Sequence, residues 1–368
     1  MNENKKLRVI ISGGGTGGHV FPALAIADAI KQEHPNTEFL FVGAKGKIEM
    51  EKVPAAGYKI EGLNIAGFQR KLSMRNLSFP FKLAGSMFNA YTIVRKFKPH
   101  VAVGVGGYAS GPLLKVANLM NIPTLIQEQN SFPGITNRLL AGKANVICTA
   151  YENMERFFPP AKVKLTGNPV RSSILVSKAE RTEAISHFNL ELNKKTILVV
   201  GGSLGARTIN HAVQHALRYL KSQTEVQLIW QTGKFYFEEC EAAARDFNAI
   251  HVTKFIDRMD LAYKAADIII ARAGALTISE LCLVGKPVIL VPSPNVAEDH
   301  QMKNAIALAK KNAAIVIPDK DAEEELFSKA FDLIYDEALM KELSENIKHL
   351  AIYNAGERIA KEVLEIAD

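Results

Sequence analysis

Twice along its length this chain runs a short β-branched stretch into a glycine-rich turn and then into helix-forming sequence. Lys6-Leu7-Arg8-Val9-Ile10-Ile11-Ser12-Gly13-Gly14 is echoed by Lys195-Thr196-Ile197-Leu198-Val199-Val200-Gly201-Gly202-Ser203. Short apolar runs of this kind suit strands buried on both faces. Glycines let the backbone approach a ligand closely, and the start of a helix beyond them favours anionic groups.

The same alternation of strand and helix continues throughout, which predicts an α/β protein with doubly wound parallel sheets. Candidate strands in the first half are Arg8–Ser12, Phe39–Val42, Val101–Val105, Thr124–Gln127 and Val146–Thr149. In the second half they are Thr196–Gly201, Gln227–Gln231, Ile250–Thr253, Asp267–Ala271 and Val288–Val291. Two Rossmann-like domains facing each other across a deep cleft are expected, with ligands at the carboxyl ends of the strands. Gly167-Asn168-Pro169-Val170-Arg171 marks the boundary, giving domains 1–170 and 171–353. The helical pattern of 354–368 is compatible with either domain and is assigned to the first.

The length of 368 residues suffices for two independent cores. A hydrophobic content of 48% and a charged content of 23% describe an ordinary globular protein, and no apolar run nears the ~18 residues of a spanning helix. The N-terminal residues carry no apolar signal core, so a cytoplasmic location is expected. Cys148, Cys240 and Cys282 have no paired spacing and read as buried reduced thiols. The net charge of +7 favours anionic partners, but the basic residues are scattered and match no nucleic-acid signature.

Gly13-x-Gly15-x-x-Gly18 formally fits a dinucleotide fingerprint. A nicotinamide site also needs a carboxylate at the end of the second strand, where Phe41-Val42-Gly43-Ala44-Lys45 has none. Pro22 suits the first positions of the helix that follows, and His19 adds a titratable group at the exit of the loop. A second glycine loop, Gly104–Pro112, presents Tyr108 and Ser110, and a third, Gly201–Arg207, presents Ser203. Ala271–Glu280 runs from strand to helix, with Glu280 near the first turn as a ribose ligand or as a charge favoured by the helix dipole. Beyond Pro292-Ser293-Pro294, the stretch Glu298–Ala305 offers amide and carboxylate groups to a sugar, although Asp299 also suits a helix cap.

Six ordered motifs carry a resemblance to a known family. They are Gly14-Gly15-Thr16-Gly17-Gly18-His19, Gly106-Gly107-Tyr108-x-Ser110-Gly111-Pro112, Glu128-Gln129-Asn130, Gly167-Asn168-Pro169-Val170-Arg171, Gly201-Gly202-Ser203-x-Gly205-Ala206 and Gly274-Ala275-Leu276-Thr277-x-Ser279-Glu280. Together they resemble glycosyltransferase family 28, the peptidoglycan N-acetylglucosaminyltransferases of GT-B fold, over residues 8–305. The resemblance implies transfer of N-acetylglucosamine from UDP-N-acetylglucosamine to the muramoyl 4-hydroxyl of lipid I. Lipid I is undecaprenyl-pyrophosphoryl-muramoyl-pentapeptide, and the products are lipid II, with a β-1,4 linkage formed by inversion, and UDP. No obligatory cofactor or metal is implied.

For the donor, the resemblance implies contacts from Thr16, Gly17, Gly18, Asn130, Arg171, Ser203, Ile256, Ala275, Leu276, Thr277, Ile278, Ser279, Glu280 and Gln301. Among these, Ser203 would meet the UDP phosphates, the Ile256 backbone the uracil edge, Glu280 the ribose and Gln301 the transferred sugar. Gly14, Gly15, Gly106, Gly107 and Ser110 are expected around the acceptor pyrophosphate. Leu204 stands where the family frequently has glutamine.

His19 is the first candidate for the base on the acceptor hydroxyl, because an unperturbed imidazole pKa of ~6.5 lies near the working pH. A role in positioning the acceptor stays open, and Glu128 and Tyr108 are reserve bases. Arg70, Lys71, Arg75, Phe79, Phe81 and Lys82 interleave basic and apolar groups, suited to an anionic membrane surface. The expected location is therefore peripheral, on the cytoplasmic face of the plasma membrane, with other cell-wall synthesis proteins as partners and no nucleic acid. A UDP-N-acetylglucosamine 2-epimerase, a non-catalytic nucleotide-sugar-binding subunit and a transferase to another lipid are the competing readings.

Overall fold

The computed structural model describes residues 6–65, 79–170, 174 and 178–368. It divides into two compact units, Met1–Val170 with Ile352–Asp368, and Arg171–Ala351.

The first unit is built on a seven-stranded sheet. Its strands are β1 (Arg8–Ser12), β2 (Glu38–Ala44), β3 (Ile60–Leu63), β4 (Val101–Gly104), β5 (Thr124–Glu128), β6 (Val146–Thr149) and β7 (Val163–Leu165). They lie in the order β3-β2-β1-β4-β5-β6-β7, and every pair is parallel. Period-two alternation sends neighbouring side chains to opposite faces. Val9, Ile11, Val101, Val103 and Leu125 pack on one face against the helices Gly17–Glu33 and Ala355–Ala367. Ile10, Ala102, Ile126 and Ile147 pack on the other, against Phe79–Phe97 and Ser110–Leu119. The C-terminal helix thus completes the first core, burying Ile359, Ala360 and Val363 there.

The second unit has a six-stranded parallel sheet in the order β10-β9-β8-β11-β12-β13. Its strands are β8 (Lys195–Val200), β9 (Val226–Gln231), β10 (Ile250–Thr253), β11 (Ile268–Ala271), β12 (Val288–Leu290) and β13 (Ile315–Val316). In both sheets the order reverses beside the first strand, between β1 and β4 and between β8 and β11. At such a switch point the loops diverge to opposite sides of the sheet and open a crevice at the carboxyl ends. The glycine-rich segments leave the sheets at these four strand ends.

β3, β7 and β13, which sequence patterning does not identify, all lie at sheet edges. An edge strand needs no long apolar run, because one side has no neighbour and solvent reaches its residues. Lys164 and Leu165 in β7 are accordingly exposed. Pro22 also differs from expectation. The first helix starts at Gly17, so Pro22 lies inside it and His19 stands on its first turn.

Candidate active site

In the first unit the loops after β1 and β4 meet backbone to backbone. Gly107 has φ +88°, and a Cβ there would collide with the Gly14 carbonyl. The Ser110 hydroxyl is shared between Ser12 O and Gly106 O, each at 2.9 Å, and the residue is fully buried. Ser110 therefore pins the two loops together rather than facing an acceptor pyrophosphate as expected.

Thr16 is the N-cap residue of the first helix but makes no side-chain cap. Its hydroxyl instead lies 3.3 Å from His19 Nδ1, which is also 3.1 Å from Gly14 O. A carbonyl oxygen only accepts, so this partner places a proton on Nδ1, which in the neutral ring leaves the lone pair on Nε2. The ring lies against Gly106, where a Cβ would come within 2.8 Å of His19 Cδ2. Tyr108, on the same loop, is 48% exposed.

Glu49 was not singled out by sequence reasoning. It is fully buried, and its carboxylate accepts Gly15 N–H at 2.8 Å and Ala44 N–H at 2.9 Å. That bond takes the Gly15 amide from the anion site expected at this loop.

Glu128, a reserve base, is also sealed. It is 2% exposed and accepts from Asn130 N–H at 3.0 Å, Asn130 Nδ2 at 3.2 Å, Gly134 N–H at 3.2 Å and Asn137 Nδ2 at 2.8 Å. Burial raises its pKa, and these hydrogen bonds oppose the rise. With its oxygens surrounded by donors, Glu128 organises the loop that carries Asn130 and is not placed to take a substrate proton. Beside it, Gln129 donates to Val105 O at 2.8 Å and to the Gln127 side chain, while Gln127 donates to Asn168 at 2.9 Å. Asn168 Nδ2 returns to Gln129 O at 3.1 Å. This buried amide chain joins Gln129 of one motif to Asn168 of another and to Val105, the residue just before a third.

In the second unit the loop after β8 turns through Gly202 (φ +90°) and Gly205 (φ +80°). A Cβ on Gly205 would strike Thr232 O. Ser203 and Leu204 at the tip are exposed, and the helix Arg207–Leu220 begins without a side-chain cap. Its first-turn amides therefore retain the capacity to bind an anion. Gln231, also unforeseen, holds the loop in place. Its Nε2 donates to Gly202 O at 2.9 Å, and its Oε1 accepts Ile256 N–H at 2.9 Å. The Ile256 backbone expected to read uracil thus has its N–H engaged with Gln231.

The helix Ala275–Val284 starts at Gly274, again without a side-chain cap. Ala275, Leu276 and Thr277 are partly exposed at its N-terminus, whereas Ile278 is buried in the core. The Ser279 hydroxyl donates back to Ala275 O at 3.1 Å. Glu280 stands on the second turn rather than the first, 7% exposed, and accepts from Tyr263 OH at 3.0 Å. Nearby, Arg272 pairs with Asp319 and donates to Val291 O at 3.0 Å, while Thr208 donates to Asp319 at 2.9 Å. Gln301 Oε1 accepts Ser293 N–H at 2.9 Å, fixing the Pro292–Pro294 loop. Glu298 (φ 56°) and Asp299 (φ 52°) are both left-handed just before the helix His300–Ala309. Such backbone costs about 1–3 kcal/mol per residue and tends to persist at functional sites. Asp299 occupies the N-cap position of that helix without a side-chain cap bond.

Arg70, Lys71, Arg75 and Arg171 lie outside the described residues. Phe79 and Phe81 belong to the helix Phe79–Phe97, where Lys82 and Leu83 are exposed, as are Phe88 (71%) and Tyr91 (42%). Among the described residues, no helix is long and apolar enough to cross a membrane, and no cluster of His, Cys, Asp or Glu could hold a metal ion.

Two Rossmann-like units, each with a parallel sheet and glycine-rich loops at its switch point, are the components of the GT-B fold. The sequence matches the glycosyltransferase family 28 N-terminal domain over residues 9–149 and the C-terminal domain over 196–359, and the chain belongs to this family. It is 58% identical to the UDP-N-acetylglucosamine--N-acetylmuramyl-(pentapeptide) pyrophosphoryl-undecaprenol N-acetylglucosamine transferase of Phocaeicola vulgatus, over 100% of this chain and 98% of the relative. It is 54% identical to the enzyme of the same name from Bacteroides thetaiotaomicron, over 99% of each chain. Among solved structures, Acinetobacter baumannii MurG is similar at 31% identity with a TM-score of 0.79, covering 98% of this chain and 99% of that one.

Proposed function

We propose that this chain transfers N-acetylglucosamine from UDP-N-acetylglucosamine to the muramoyl 4-hydroxyl of lipid I, forming the β-1,4 bond of lipid II and releasing UDP. The observation that carries this is the full-length 58% identity to a relative named for that donor and acceptor.

The chemistry is a single displacement at the anomeric carbon. The acceptor oxygen bonds to C1 as the C1–O bond to the diphosphate breaks, with inversion. His19 Nε2 takes the hydroxyl proton, because the Gly14 carbonyl holds the ring in the tautomer with its lone pair there. The departing UDP carries the developing negative charge. Helix-start amides after Ser203 and at Ala275–Thr277 supply fixed positive dipoles for it. In the second unit, Glu280, oriented by Tyr263, binds the ribose, and the NH2 of Gln301 addresses the sugar. In the first unit, Glu128 keeps Asn130 in place, and Tyr108 lies exposed beside His19's loop. The reaction balances with no cofactor.

Exposed Phe88, Tyr91 and Leu83 beside Lys82 support a peripheral contact with an anionic membrane surface, where a lipid acceptor is met. Anionic vesicles should retain the protein at low salt and release it at high salt, and equal retention by neutral vesicles would remove the electrostatic part. The function itself is tested with labelled UDP-N-acetylglucosamine and a lipid I analogue, with linkage analysis. A β-1,4 disaccharide product is expected; epimerised sugar without transfer overturns the proposal.

A further inference from the structure

We infer that Glu49 is a positioning residue for catalysis: through the Gly14–Gly15 segment it holds His19 in the tautomer that presents Nε2 to the acceptor. This rests on the reading of His19 as the base.

Three observations converge on this carboxylate. β1 pairs with β2 only as far as Ser12 opposite Val42, after which β1 turns away into the glycine loop. The amides beyond that point lose their ladder partner, and Glu49 replaces it, one oxygen on Ala44 N–H at 2.9 Å and the other on Gly15 N–H at 2.8 Å. Two glycines exist to admit the side chain, since a Cβ on Gly14 would strike the carboxylate and one on Gly43 would come within 2.5 Å of Glu49 Cγ.

The third observation joins this anchor to the site. The Gly14–Gly15 peptide is fixed on its N–H side by Glu49, and its carbonyl, Gly14 O, is the group 3.1 Å from His19 Nδ1. One rigid peptide plane therefore carries the Glu49 constraint to the imidazole. A charge-assisted bond on the N–H also polarises the carbonyl, which makes it a better acceptor for Nδ1–H. A carboxylate directly behind the loop opposes a second anion there. The first glycine loop thus serves to set the histidine, in contrast to the loop after β8, which has exposed Ser203 and an uncapped helix.

The test combines three variants, Glu49→Gln, Glu49→Ala and Gly43→Ala, the last displacing the same side chain from outside the loop. Nitrogen-15 NMR of the His19 ring reads the tautomer directly and without any acceptor. Wild type should show a protonated Nδ1 and an unprotonated Nε2, with the variants moving toward the opposite tautomer. Lipid I transfer should lose roughly 10- to 100-fold in kcat, as expected for a small misplacement of a reacting group, with donor KM within about twofold. A merely structural role would lower thermal stability and leave the ring signals and the split between kcat and KM as in wild type. That result, in folded Glu49→Ala or Gly43→Ala protein, overturns the inference. If the ring signals shift but wild type transfers nothing to lipid I, the tautomer control stands and the transferase reading fails.

Discussion

Individual side chains in this protein divide between those that meet solvent and those that hold others still. His19 belongs to the first group, partly exposed on a helical turn with its Nδ1 already engaged. His19→Ala should lower kcat by about 10²–10⁴-fold, the usual contribution of a general base, with little change in donor binding. Steady-state transfer and UDP calorimetry check this, and near wild-type kcat would remove the histidine from the base role. Gln231 belongs to the second group. Gln231→Leu strands the buried Ile256 N–H and removes one of the two donors to the Gly202 carbonyl, the Gly205 amide remaining, at a cost of about 1–3 kcal/mol in urea unfolding. It should also weaken UDP binding by roughly tenfold, because each 1.4 kcal/mol of loop stabilisation corresponds to that factor. Unchanged affinity and stability together would mean that the bridge does not organise the loop. Glycine and hydroxyl motifs made the strand-end loops visible in the sequence, but the buried partners Glu49 and Gln231 carry no local signature. A lone glutamate or glutamine in a chain is as often solvated as buried, and only packing distinguishes the two.

At the scale of elements, the central strands were readable because burial on both faces demands an unbroken apolar run, as in Val9-Ile10-Ile11 and Ile268–Ala271. β3, β7 and β13 escaped because an edge position relaxes that demand. β10 is an edge strand that did show itself, and it carries His251, packed edge-on against Phe188 at 5.2 Å. Burial lowers the His251 pKa below its usual value, the neighbouring His187 adds to the shift, and the Phe188 backbone opposes it. The unfolded chain then binds the proton more readily than the folded one. Stability contributed by this group is present above about pH 6.5 and declines as pH falls below it. Urea unfolding at pH 7.5 and 5.5 should show that decline, and His251→Phe should reduce it; an identical pH dependence in the variant would assign the effect elsewhere.

At the scale of the molecule, the chain leaves the first unit after Val170 and returns to it at Ile352. Ile359 is fully buried in the first core, so Ile359→Ala should cost about 2–5 kcal/mol there. Trp230, the sole tryptophan, is buried in the second core and reports on that unit. Far-UV circular dichroism should record an earlier urea transition in the variant while Trp230 fluorescence stays in place; a joint shift would show that the two cores unfold together. The three thiols, buried in these cores, have pKa values pushed up to about 12 by desolvation, consistent with packing rather than reactive roles. The sequence by itself determined the α/β class, the two glycine-bearing repeats, the central strands and the family, because periodicity and motif spacing are local properties of a chain. Only the tertiary structure decided that Ser110 and Glu128 are sealed, that Ile256 shares its amide with Gln231, and that Glu49 stands behind the loop of His19. Those facts depend on which distant segments come to share a hydrogen bond, and burial is a property that no residue has alone.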